Sequence, residues 1–556
     1  MNSRKILSVL TILVFSISIA WAHGGEKAVT KPPPDYKEAP PTKKNIDLSN
    51  AEPFCPKNAT WGDWRPAQTV LGVQMQADRN CKPDNPKVVA AVTKGTNNVP
   101  MKTLMQTGLS KDAVQKGKDL DGDGDPDIIN ITLEVSEING KKPSGAKFNA
   151  VRQEIAPGIT PGFWVFSPKT RGMASEGSAG ANIIRAPSPT IRVEKEDRVQ
   201  VELENTHYMP HTIHFHGVDH SFNDSQGEGN DGVPQTSEKP VMPGESHTYN
   251  FKPRTAGTMA YHCHVQPQSH VLMGLNGMFV VSKQAENNTL QTFNIGGGKV
   301  RNPSEPISDK FAQEYDYIYQ DVDKDLHEIL NVSNDPRVVS KMINRGYDIT
   351  ERVPEYFLLN GKSFPFTERE SQIIVEPNQK VKLRIINTGK QDIDLHAHGH
   401  KPKITHKDGI KTQHPIQRDV FKIGSFQRLD LTINTTNDGL NSYGSGVWLM
   451  HNHKEDAITT DGIAPGGDLS TITYKSYLQA NGKPELQGVS WKPYFTEEYY
   501  EREVPVWNSY DPTGLFGEVR KLPASNKTLA SFGIAGLILG LILGFRLYQT
   551  WVKPEE

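Results

Sequence analysis

Residues 191–206 read IRVEKEDRVQVELENT, and residues 373–388, which begin 182 positions later, align with them without a gap as IIVEPNQKVKLRIINT. Both stretches predict a strand, a polar turn and a second strand, because apolar and polar residues alternate on either side of the turn. A repeat at this separation indicates two similar domains in one chain. The sequence therefore predicts an all-β fold that contains two related β domains.

Four His-x-His pairs lie in the two halves of the repeat. They are His214/His216, His262/His264, His396/His398 and His451/His453. Side chains i and i+2 of a strand point to the same face, so each pair offers two imidazoles side by side. Imidazole is the usual nitrogen ligand of copper, zinc, iron and nickel. Eight such groups are too many for one ordinary ion and favour a metal cluster. The repeat offset carries His214 onto His396 and His216 onto His398.

The second pair flanks a cysteine, Cys263. Because His262 and His264 share one face of a strand, Cys263 must point to the other face, and one short peptide can join two metal sites. Two histidines and one thiolate define the trigonal blue-copper site, and His211 and His270 are the further histidines close by in sequence. The alternative for a lone cysteine is a buried free thiol.

The first domain alone carries this cysteine set. The repeat offset places Ile393 where the first domain has His211, and Asn452 stands where it has Cys263. The weak axial ligand of a blue-copper site should follow His270 closely. Met273 and Leu275 are the candidates for that position.

These motifs resemble those of the multicopper oxidases. The matching residues are His211-x-x-His214-x-His216-Gly217, His262-Cys263-His264 with His270 and Leu275, Leu395-His396-Ala397-His398-Gly399, and His451-Asn452-His453. The resemblance covers roughly residues 130–480. The four motifs occur in the same order as in that family, which makes the match highly specific. The pattern looks most like the two-domain, small laccase-like members with type 1 copper in the first domain only.

The resemblance implies two cupredoxin-like Greek-key domains that hold about four coppers per chain. His211, Cys263 and His270 would bind type 1 copper, with the non-coordinating Leu275 in the axial position and Met273 serving as packing. His214 and His396 would bind type 2 copper. The type 3 pair would be held by His216, His262, His264, His398, His451 and His453.

The activity implied by this resemblance is one-electron oxidation of a donor at type 1 copper, coupled to four-electron reduction of dioxygen to water. Asp219 resembles a carboxylate that assists proton delivery, although a solvated loop aspartate fits the sequence equally well. Each domain supplies half of the cluster ligands. Small laccase-like relatives complete the cluster between subunits, so a homotrimer is expected.

Two other functions stay open on sequence grounds. Copper nitrite reductases share the two-domain architecture but bind a single type 2 copper, and the full set of eight cluster histidines favours dioxygen. A copper-binding or electron-carrier protein that does not use the cluster is the other alternative. The sequence does not identify the electron donor, and a small phenol, a metal ion and a redox protein all stay open. The net charge of −2 and the lack of basic blocks argue against nucleic acid as a partner.

The two ends of the chain predict export and a membrane anchor. Residues 1–22 have the basic start, apolar stretch and small-residue end of a signal peptide. Residues 528–545 carry no charge and are long enough to span a bilayer, and Arg546 and Lys553 lie in the short tail that follows at 546–556. The positive-inside rule places that tail in the cytoplasm and the bulk of the chain on the periplasmic or extracellular side.

Between the ends, the expected order is a Lys/Pro-rich tether (23–45), an extension of unassigned fold (46–125), the first domain (126–285), a linker (286–310), the second domain (311–480) and a C-terminal arm (481–527). In an exported chain the leftover Cys55 and Cys81 are expected to form a disulfide. An acidic run resembles the start of a calcium loop, although its twelfth position is Asn130 rather than glutamate. Its carboxylates are Asp119, Asp121, Asp123, Asp125 and Asp127, and an acidic surface turn is the alternative.

Overall fold

The computed structural model describes residues 65–78, 85–139, 151–333, 335–488 and 490–501. The described chain begins with a short hairpin, β1 (Gln68–Val70) and β2 (Val73–Met75), whose strands pair antiparallel. Two helices follow, α1 (Pro86–Lys94) and α2 (Met101–Thr107). The Asn85 side chain accepts a hydrogen bond from the Lys87 amide at the start of α1, where a proline occupies the first turn. Apolar residues of both helices pack into the core of the first β domain.

The first β domain consists of two sheets packed face to face. Its strands are β3 (Val114–Gly117), β4 (Ile128–Ile138), β5 (Phe163–Pro168), β6 (Thr190–Glu194), β7 (Arg198–Glu204), β8 (His214–His216), β9 (Ser246–Phe251), β10 (Gly257–His262), β11 (Asn276–Ser282) and β12 (Phe293–Asn294). One sheet has the order β12-β6-β11-β10-β8, and the other has the order β3-β4-β7-β9 with β5 beside β4. A short helix, α3 (Pro267–His270), lies between β10 and β11.

The second β domain repeats this plan. Its strands are β13 (Gly298–Lys299), β14 (Gln313–Val322), β15 (Tyr356–Leu359), β16 (Ile373–Val375), β17 (Lys380–Asn387), β18 (Ile393–Ala397), β19 (Lys403–Lys407), β20 (Ile410–Lys411), β21 (Val420–Ile423), β22 (Arg428–Asn434), β23 (Val447–Asn452) and β24 (Ser470–Tyr474). One sheet has the order β13-β14-β17-β22-β19-β20 with β15 beside β14, and the other has the order β16-β24-β23-β18-β21. The mostly β architecture with two related domains confirms the expectation from sequence.

The repeated stretch forms the same arch in both domains. Strands β6 and β7 belong to opposite sheets of the first domain, as β16 and β17 do in the second. The polar turn between them passes through a left-handed residue, Glu196 (φ 71°) in one domain and Asn378 (φ 64°) in the other. These two residues are 182 positions apart, so the backbone repeats along with the sequence. Alternating apolar residues of both strands fill the space between the sheets.

Three segments differ from the domain boundaries expected from sequence. Residues 114–117, assigned to the N-terminal extension, pair with β4 as strand β3 of the first domain. The expected linker supplies a strand to each domain, because β12 pairs with β6 and β13 pairs with β14. Residues 491–499 of the C-terminal arm bury aromatic side chains against Phe364 and Phe366. Short segments of two to four residues carry too little periodicity to be recognised from sequence.

Short helices interrupt the second domain. They are α4 (Glu305–Ser308), α5 (Lys324–His327), α6 (Ile329–Val332), α7 (Pro336–Lys341), α8 (Thr367–Glu370) and, near the described C-terminal end, α9 (Glu497–Tyr500). Helices α5 to α7 form an insertion that packs on the first domain. Leu326, Leu330 and Val339 of this insertion join the same buried cluster as Cys263. The His327 ring is buried, and its Nε2 atom lies 3.1 Å from the Leu272 carbonyl oxygen.

Several expectations fall outside the described residues. These are the signal peptide (1–22), the tether (23–45), the Cys55–Cys81 disulfide and the membrane-spanning segment (528–545) with its tail. Among the described helices, none has both the length and the apolar character needed to cross a membrane.

Candidate metal centre

The cysteine site forms where β10 ends. Cys263 follows the last residue of that strand, and its Sγ atom lies 3.7 Å from His211 Nδ1 and 3.5 Å from His270 Nδ1. All three side chains are fully buried. His270 reaches the site from the C-terminal end of α3, and its backbone carbonyl accepts a hydrogen bond from the Leu275 amide. The structure thus brings together the three residues expected to form the blue-copper site.

The donor set fits a copper ion. With a metal–sulfur bond of about 2.3 Å and a metal–nitrogen bond of about 2.0 Å, a trigonal arrangement separates sulfur and nitrogen by about 3.7 Å. The two observed separations are close to this value. Burial raises the pKa of the Cys263 thiol to about 12, so a metal ion would replace its proton on binding. Burial lowers the pKa of His270 to about 3, which keeps that imidazole in the neutral form that binds metals.

Leu275 and Met273 are both fully buried beside this site. The Cys263 amide donates to the Leu275 carbonyl oxygen at 3.0 Å, while the Met273 carbonyl oxygen accepts from the Trp164 amide at 3.0 Å. These contacts tie the loop on both sides of the axial position. The assignment of Leu275 rather than Met273 to that position stays a prediction.

The first four cluster histidines gather on the strands next to the cysteine. His214 on β8 lies directly opposite His262 on β10, and the two Nε2 atoms of His216 and His262 are 2.9 Å apart. The rings of His214 and His264 are in edge contact, with centroids 5.6 Å apart. Burial lowers the pKa of His262 to about 3 and that of His216 to about 4. Both imidazoles are therefore neutral at physiological pH.

The second domain repeats this arrangement in the same register. His396 on β18 lies directly opposite His451 on β23, and the Nε2 atoms of His398 and His451 are 3.2 Å apart. The His453 side chain is 53% exposed, and its ring lies 5.7 Å from that of His396. The structure therefore forms two matched groups of four histidines, one in each domain.

Backbone carbonyls orient four of these rings. In the first domain, His214 Nδ1 lies 2.6 Å from the Asp231 carbonyl oxygen, and His262 Nδ1 lies 2.8 Å from that of Cys263. In the second domain, His396 Nδ1 lies 3.2 Å from the Asp419 carbonyl oxygen, and His451 Nδ1 lies 2.9 Å from that of Asn452. A carbonyl can only accept, so each Nδ1 carries the proton. The Nε2 lone pair of each ring is then left for a metal ion.

The two groups of histidines do not meet within one chain. Among the described residues, no ring contact or hydrogen bond joins a histidine of the first group to one of the second. Instead, Phe426 of the second domain covers part of the first group, with its ring 5.5 Å from His216 and 4.9 Å from His262. Nor, in the described part of the chain, does either group by itself bring three imidazole nitrogens within 4.8 Å of one another. The first and second groups are therefore two separate clusters of imidazoles.

Asn452 fills the place that Cys263 takes in the first domain. It is buried, and its Oδ1 atom accepts hydrogen bonds from the amides of Asp394 (3.0 Å) and Lys454 (3.2 Å). Its own amide donates to the carboxylate of Asp468, a residue whose pKa burial raises to about 7. Ile393 is buried where the first domain has His211. The second domain therefore has a polar network in place of a thiolate site.

Asp219 is held by Arg254. Its carboxylate accepts from the Arg254 amide at 2.9 Å and from the guanidinium at 3.2 Å, and these hydrogen bonds hold the pKa of Asp219 below its usual range. Asp231, by contrast, contacts the first group of histidines through His214. Its Oδ1 atom lies 3.4 Å from His214 Nδ1 and 2.9 Å from His220 Nε2. Asp231 was missed from sequence because it belongs to no motif and lies 17 residues beyond His214.

The acidic run forms a surface loop in which Asp119, Asp121 and Asp127 bring their carboxylates within 4.8 Å. The carboxylates of Asp123 and Asp125 are not part of this group. Asp125 is buried and accepts from the Asn288 amide at 2.8 Å, and Asp123 accepts from the Asp125 amide at 3.3 Å. Calcium binding by this loop stays a prediction.

Comparison with known proteins agrees with this geometry. Two family models, each described as "Multicopper oxidase", match residues 164–286 and 331–464. The first range holds the cysteine site and the first group of histidines, and the second range holds the second group.

Curated relatives and a solved structure carry related names. The iron transport multicopper oxidase FET3 of Gibberella zeae is 26% identical over 328 residues, which is 54% of this chain and 46% of that protein. Its namesake in Saccharomyces cerevisiae is 24% identical over 335 residues, covering 60% and 44%. The chain thus spans less than half the length of these relatives. The blue copper oxidase from Nitrosomonas europaea is 26% identical with a TM-score of 0.46, covering 68% of this chain and 94% of that one. The two family matches identify residues 164–286 and 331–464 as multicopper oxidase domains.

Proposed function

We propose that this protein is a two-domain multicopper oxidase that couples one-electron oxidation of a donor to four-electron reduction of dioxygen to water. The observation that carries the proposal is the position of Cys263. Its thiol lies between two buried imidazoles, while its sequence neighbours, His262 and His264, belong to the first group of cluster histidines. One short peptide therefore joins a site for accepting single electrons to a site for collecting them.

The proposed ligands follow from the two sites. His211, Cys263 and His270 would hold type 1 copper, and His214 and His396 would hold type 2 copper. The remaining six cluster histidines, His216, His262, His264, His398, His451 and His453, would hold the type 3 pair. When bound, the coppers supply four single-electron carriers that match the four electrons needed to reduce one dioxygen.

The protein's own part is orientation and connection. The hydrogen bond from His262 Nδ1 to the Cys263 carbonyl oxygen fixes that ring against the peptide that carries the thiolate. The equivalent bond from His451 to Asn452 fixes the matching ring of the second domain without any thiolate nearby. Electrons therefore have a covalent route to the cluster in the first domain only. Proton delivery by Asp219 remains part of the proposal, and Asp231 is a second candidate because it contacts His214.

We further propose that the cluster forms between chains. The two groups of four histidines remain apart within one chain, and each has fewer ligands than a three-copper cluster needs. A head-to-tail contact of the first domain of one chain with the second domain of the next would complete one cluster. Three such contacts close into a ring, so the proposed assembly is a homotrimer.

Metal content and spectrum test the oxidase proposal. The purified protein should bind about four coppers per chain and show the intense visible band of a thiolate–copper site. Steady-state oxygen uptake should be measured with phenols, ferrous ion and a redox protein as donors, and with nitrite as a competing acceptor. Ferrous ion belongs in the panel because the fungal relatives are named for iron transport. One or two coppers per chain without oxygen uptake would point instead to an electron carrier, and nitrite consumption to a reductase.

Subunit mixing tests the trimer. His262→Ala removes a ligand of the first group, and His451→Ala removes one of the second, so each variant alone should be inactive. After dissociation and reassembly together, some clusters would combine two intact halves, and activity should return. A copper-replete, fully active monomer would rule out the trimer. Export, and anchoring through residues 528–545, are separate proposals that fractionation of the full chain would test.

A further inference from the structure

One of the two proposed type 1 histidines is hydrogen-bonded to a second histidine, which lies next to a carboxylate. His211 uses Nδ1 to face Cys263, and its Nε2 atom lies 2.9 Å from Nδ1 of His207. A metal on His211 Nδ1 leaves the proton on Nε2, so His211 must be the donor to His207. The Met209 amide independently marks His207 Nδ1 as an acceptor, since that N–H points to it at 3.4 Å. His207 therefore carries its own proton on Nε2.

That Nε2 atom faces Glu137. It lies 3.6 Å from Glu137 Oε2, close to the carboxylate but beyond hydrogen-bond distance. The same carboxylate oxygen accepts hydrogen bonds from the Tyr208 hydroxyl (2.6 Å) and the Trp164 indole nitrogen (3.1 Å). Burial raises the pKa of Glu137, but the contacts from His207 and Tyr208 outweigh it and hold the pKa below its usual value. The carboxylate is therefore charged at neutral pH. We call Glu137, His207 and His211 the Glu137 relay.

Neighbouring groups hold the relay in place. The Asn205 side chain accepts from the His207 amide at 3.0 Å and donates to the carbonyl oxygens of Met209 and Val241. The Trp164 ring packs edge-on against His207, with ring centroids 4.8 Å apart. The His207 side chain is 4% exposed and that of Glu137 is 22% exposed. The relay thus runs from a fully buried imidazole to a carboxylate at the edge of solvent.

The other type 1 histidine has no such connection. His270 Nε2 is buried and has no hydrogen-bond partner among the described residues. Its ring instead packs edge-on against Trp164, with ring centroids 5.2 Å apart. The two imidazoles of the site are therefore unequal, because His211 Nε2 is hydrogen-bonded to a histidine beside a carboxylate and His270 Nε2 makes no such hydrogen bond in the described part of the chain.

We propose that Glu137 and His207 are positioning residues that fix the tautomer and orientation of His211 and pass part of the carboxylate's charge to it, which lowers the type 1 reduction potential. A hydrogen-bond acceptor on the second nitrogen of a ligating imidazole raises the basicity of that ligand, and the negative charge of Glu137 beside the acceptor His207 strengthens this effect. A more basic imidazole stabilises the cupric state more than the cuprous state, so the potential falls. The inference rests on the proposed function, because it needs copper at His211, Cys263 and His270.

The relay would oppose the axial residue. A leucine in the axial position, which cannot coordinate, raises the potential of a blue-copper site. The relay acts on the same copper from the opposite direction and through a different ligand. Their effects should therefore be separable by substitution.

The test measures the type 1 potential of the full, copper-loaded protein by redox titration at the visible band. Glu137→Gln keeps the shape of the side chain and removes its charge. The band should remain, and the Cu(II)/Cu(I) ratio at a fixed applied potential should fall about tenfold, which is about 59 mV for a one-electron couple. Glu134→Gln is the matched control. Glu134 lies on the same strand and accepts from Thr170, but it does not contact the relay, so the ratio should change less than about twofold.

His207→Gln is the second variant. The glutamine oxygen can still accept from His211, but the path to the carboxylate is broken, so the potential should rise here as well. If Glu137→Gln fails to fold, His207→Gln decides the matter alone. An unchanged potential in a folded, copper-loaded variant would overturn the relay. An unmodified protein without a visible band would overturn the proposed function instead.

Discussion

Cys263 and Asn452 occupy equivalent positions in the two domains, because each directly follows a histidine that pairs across its sheet with the first member of a His-x-His motif. His262 pairs with His214 before Cys263, and His451 pairs with His396 before Asn452. The two positions share a backbone setting and differ in chemistry. One holds a buried thiol between two imidazoles, and the other holds an amide inside a hydrogen-bonded network.

Introducing a cysteine at position 452 should not create a second blue-copper site. In Asn452→Cys, Ile393 still occupies the place of the first histidine, so the thiol lacks the ligand set. The amides of Asp394 and Lys454 would lose their shared acceptor, which should cost about 1–3 kcal/mol of stability. A visible spectrum of the copper-loaded variant and a urea unfolding curve check both parts. A second thiolate band of similar intensity would contradict this account.

Removing Cys263 should change the visible spectrum, whereas introducing a cysteine at position 452 should not. Cys263→Ser should abolish the intense visible band while leaving all eight cluster histidines in place. Oxygen uptake with external donors should then fall by orders of magnitude, because the covalent route from the donor site is broken. Copper analysis provides the control, since about three of the four coppers should be retained. Retention of the band would show that the thiolate assignment is wrong.

The assignment of Leu275 to the axial position predicts different effects for substitutions at Leu275 and at Met273. Leu275→Met should add a weak thioether ligand and lower the type 1 potential, whereas Met273→Leu should change the potential little. Redox titration of the two variants beside the unmodified protein makes the comparison. If Met273→Leu moves the potential and Leu275→Met does not, the axial ligand lies two residues earlier than the family spacing indicates.

The grouping of the proposed metal ligands could be predicted from sequence, because strand geometry determines which side chains share a face. Alternation places i and i+2 side chains on one face, so each His-x-His pair indicates a shared site without knowledge of the tertiary fold. The flanked cysteine extends the same argument to the opposite face. His211 and His270 followed from their closeness in sequence to these motifs.

The partners of those ligands could not be predicted. Glu137 is 74 residues before His211 and reaches it only because β4 and the loop that follows β7 lie side by side in the folded domain. His207 carries no motif of its own, and its distance of four residues from His211 does not indicate a hydrogen bond. The insertion whose apolar residues join the same buried cluster as Cys263 comes from the second domain. Such contacts depend on how distant segments pack, which alternation and spacing do not encode.

A buried ion network joins the two domains. Arg192 of the first domain makes a two-pronged contact with Asp316 of the second, at 2.7 and 2.5 Å, and all of these groups are buried. Asp316→Ala would leave the Arg192 guanidinium without its main partner, and breaking such a buried pair costs about 3–5 kcal/mol. Chemical denaturation should show this loss. Lys422→Ala, which breaks the exposed pair with Asp392, is the control and should change stability little.

Glu368 predicts a pH dependence of stability. Its carboxyl is fully buried, and Oε2 accepts from the Thr471 hydroxyl at 2.6 Å while Oε1 has no partner among the described residues. Burial raises the pKa of Glu368 to about 8 from its ordinary value of 4.5. Between these two values the folded protein keeps the proton and the unfolded chain releases it. The contribution of Glu368 to stability is therefore largest below pH 4.5 and is lost as the pH rises towards 8.

Glu368→Gln removes this dependence, because the amide keeps the shape of the protonated acid and cannot ionise. The variant should resemble the unmodified protein at pH 5 and be clearly more stable than it at pH 8.5, since the unmodified protein must then bury a charge or take up a proton. Denaturant midpoints of both proteins at several pH values between 5 and 9 make the comparison. Glu376→Gln, a substitution at an exposed turn, provides the matched control and should leave the pH profile unchanged. If the profiles of Glu368→Gln and the unmodified protein run parallel over this range, the buried carboxyl does not hold a proton in the folded state.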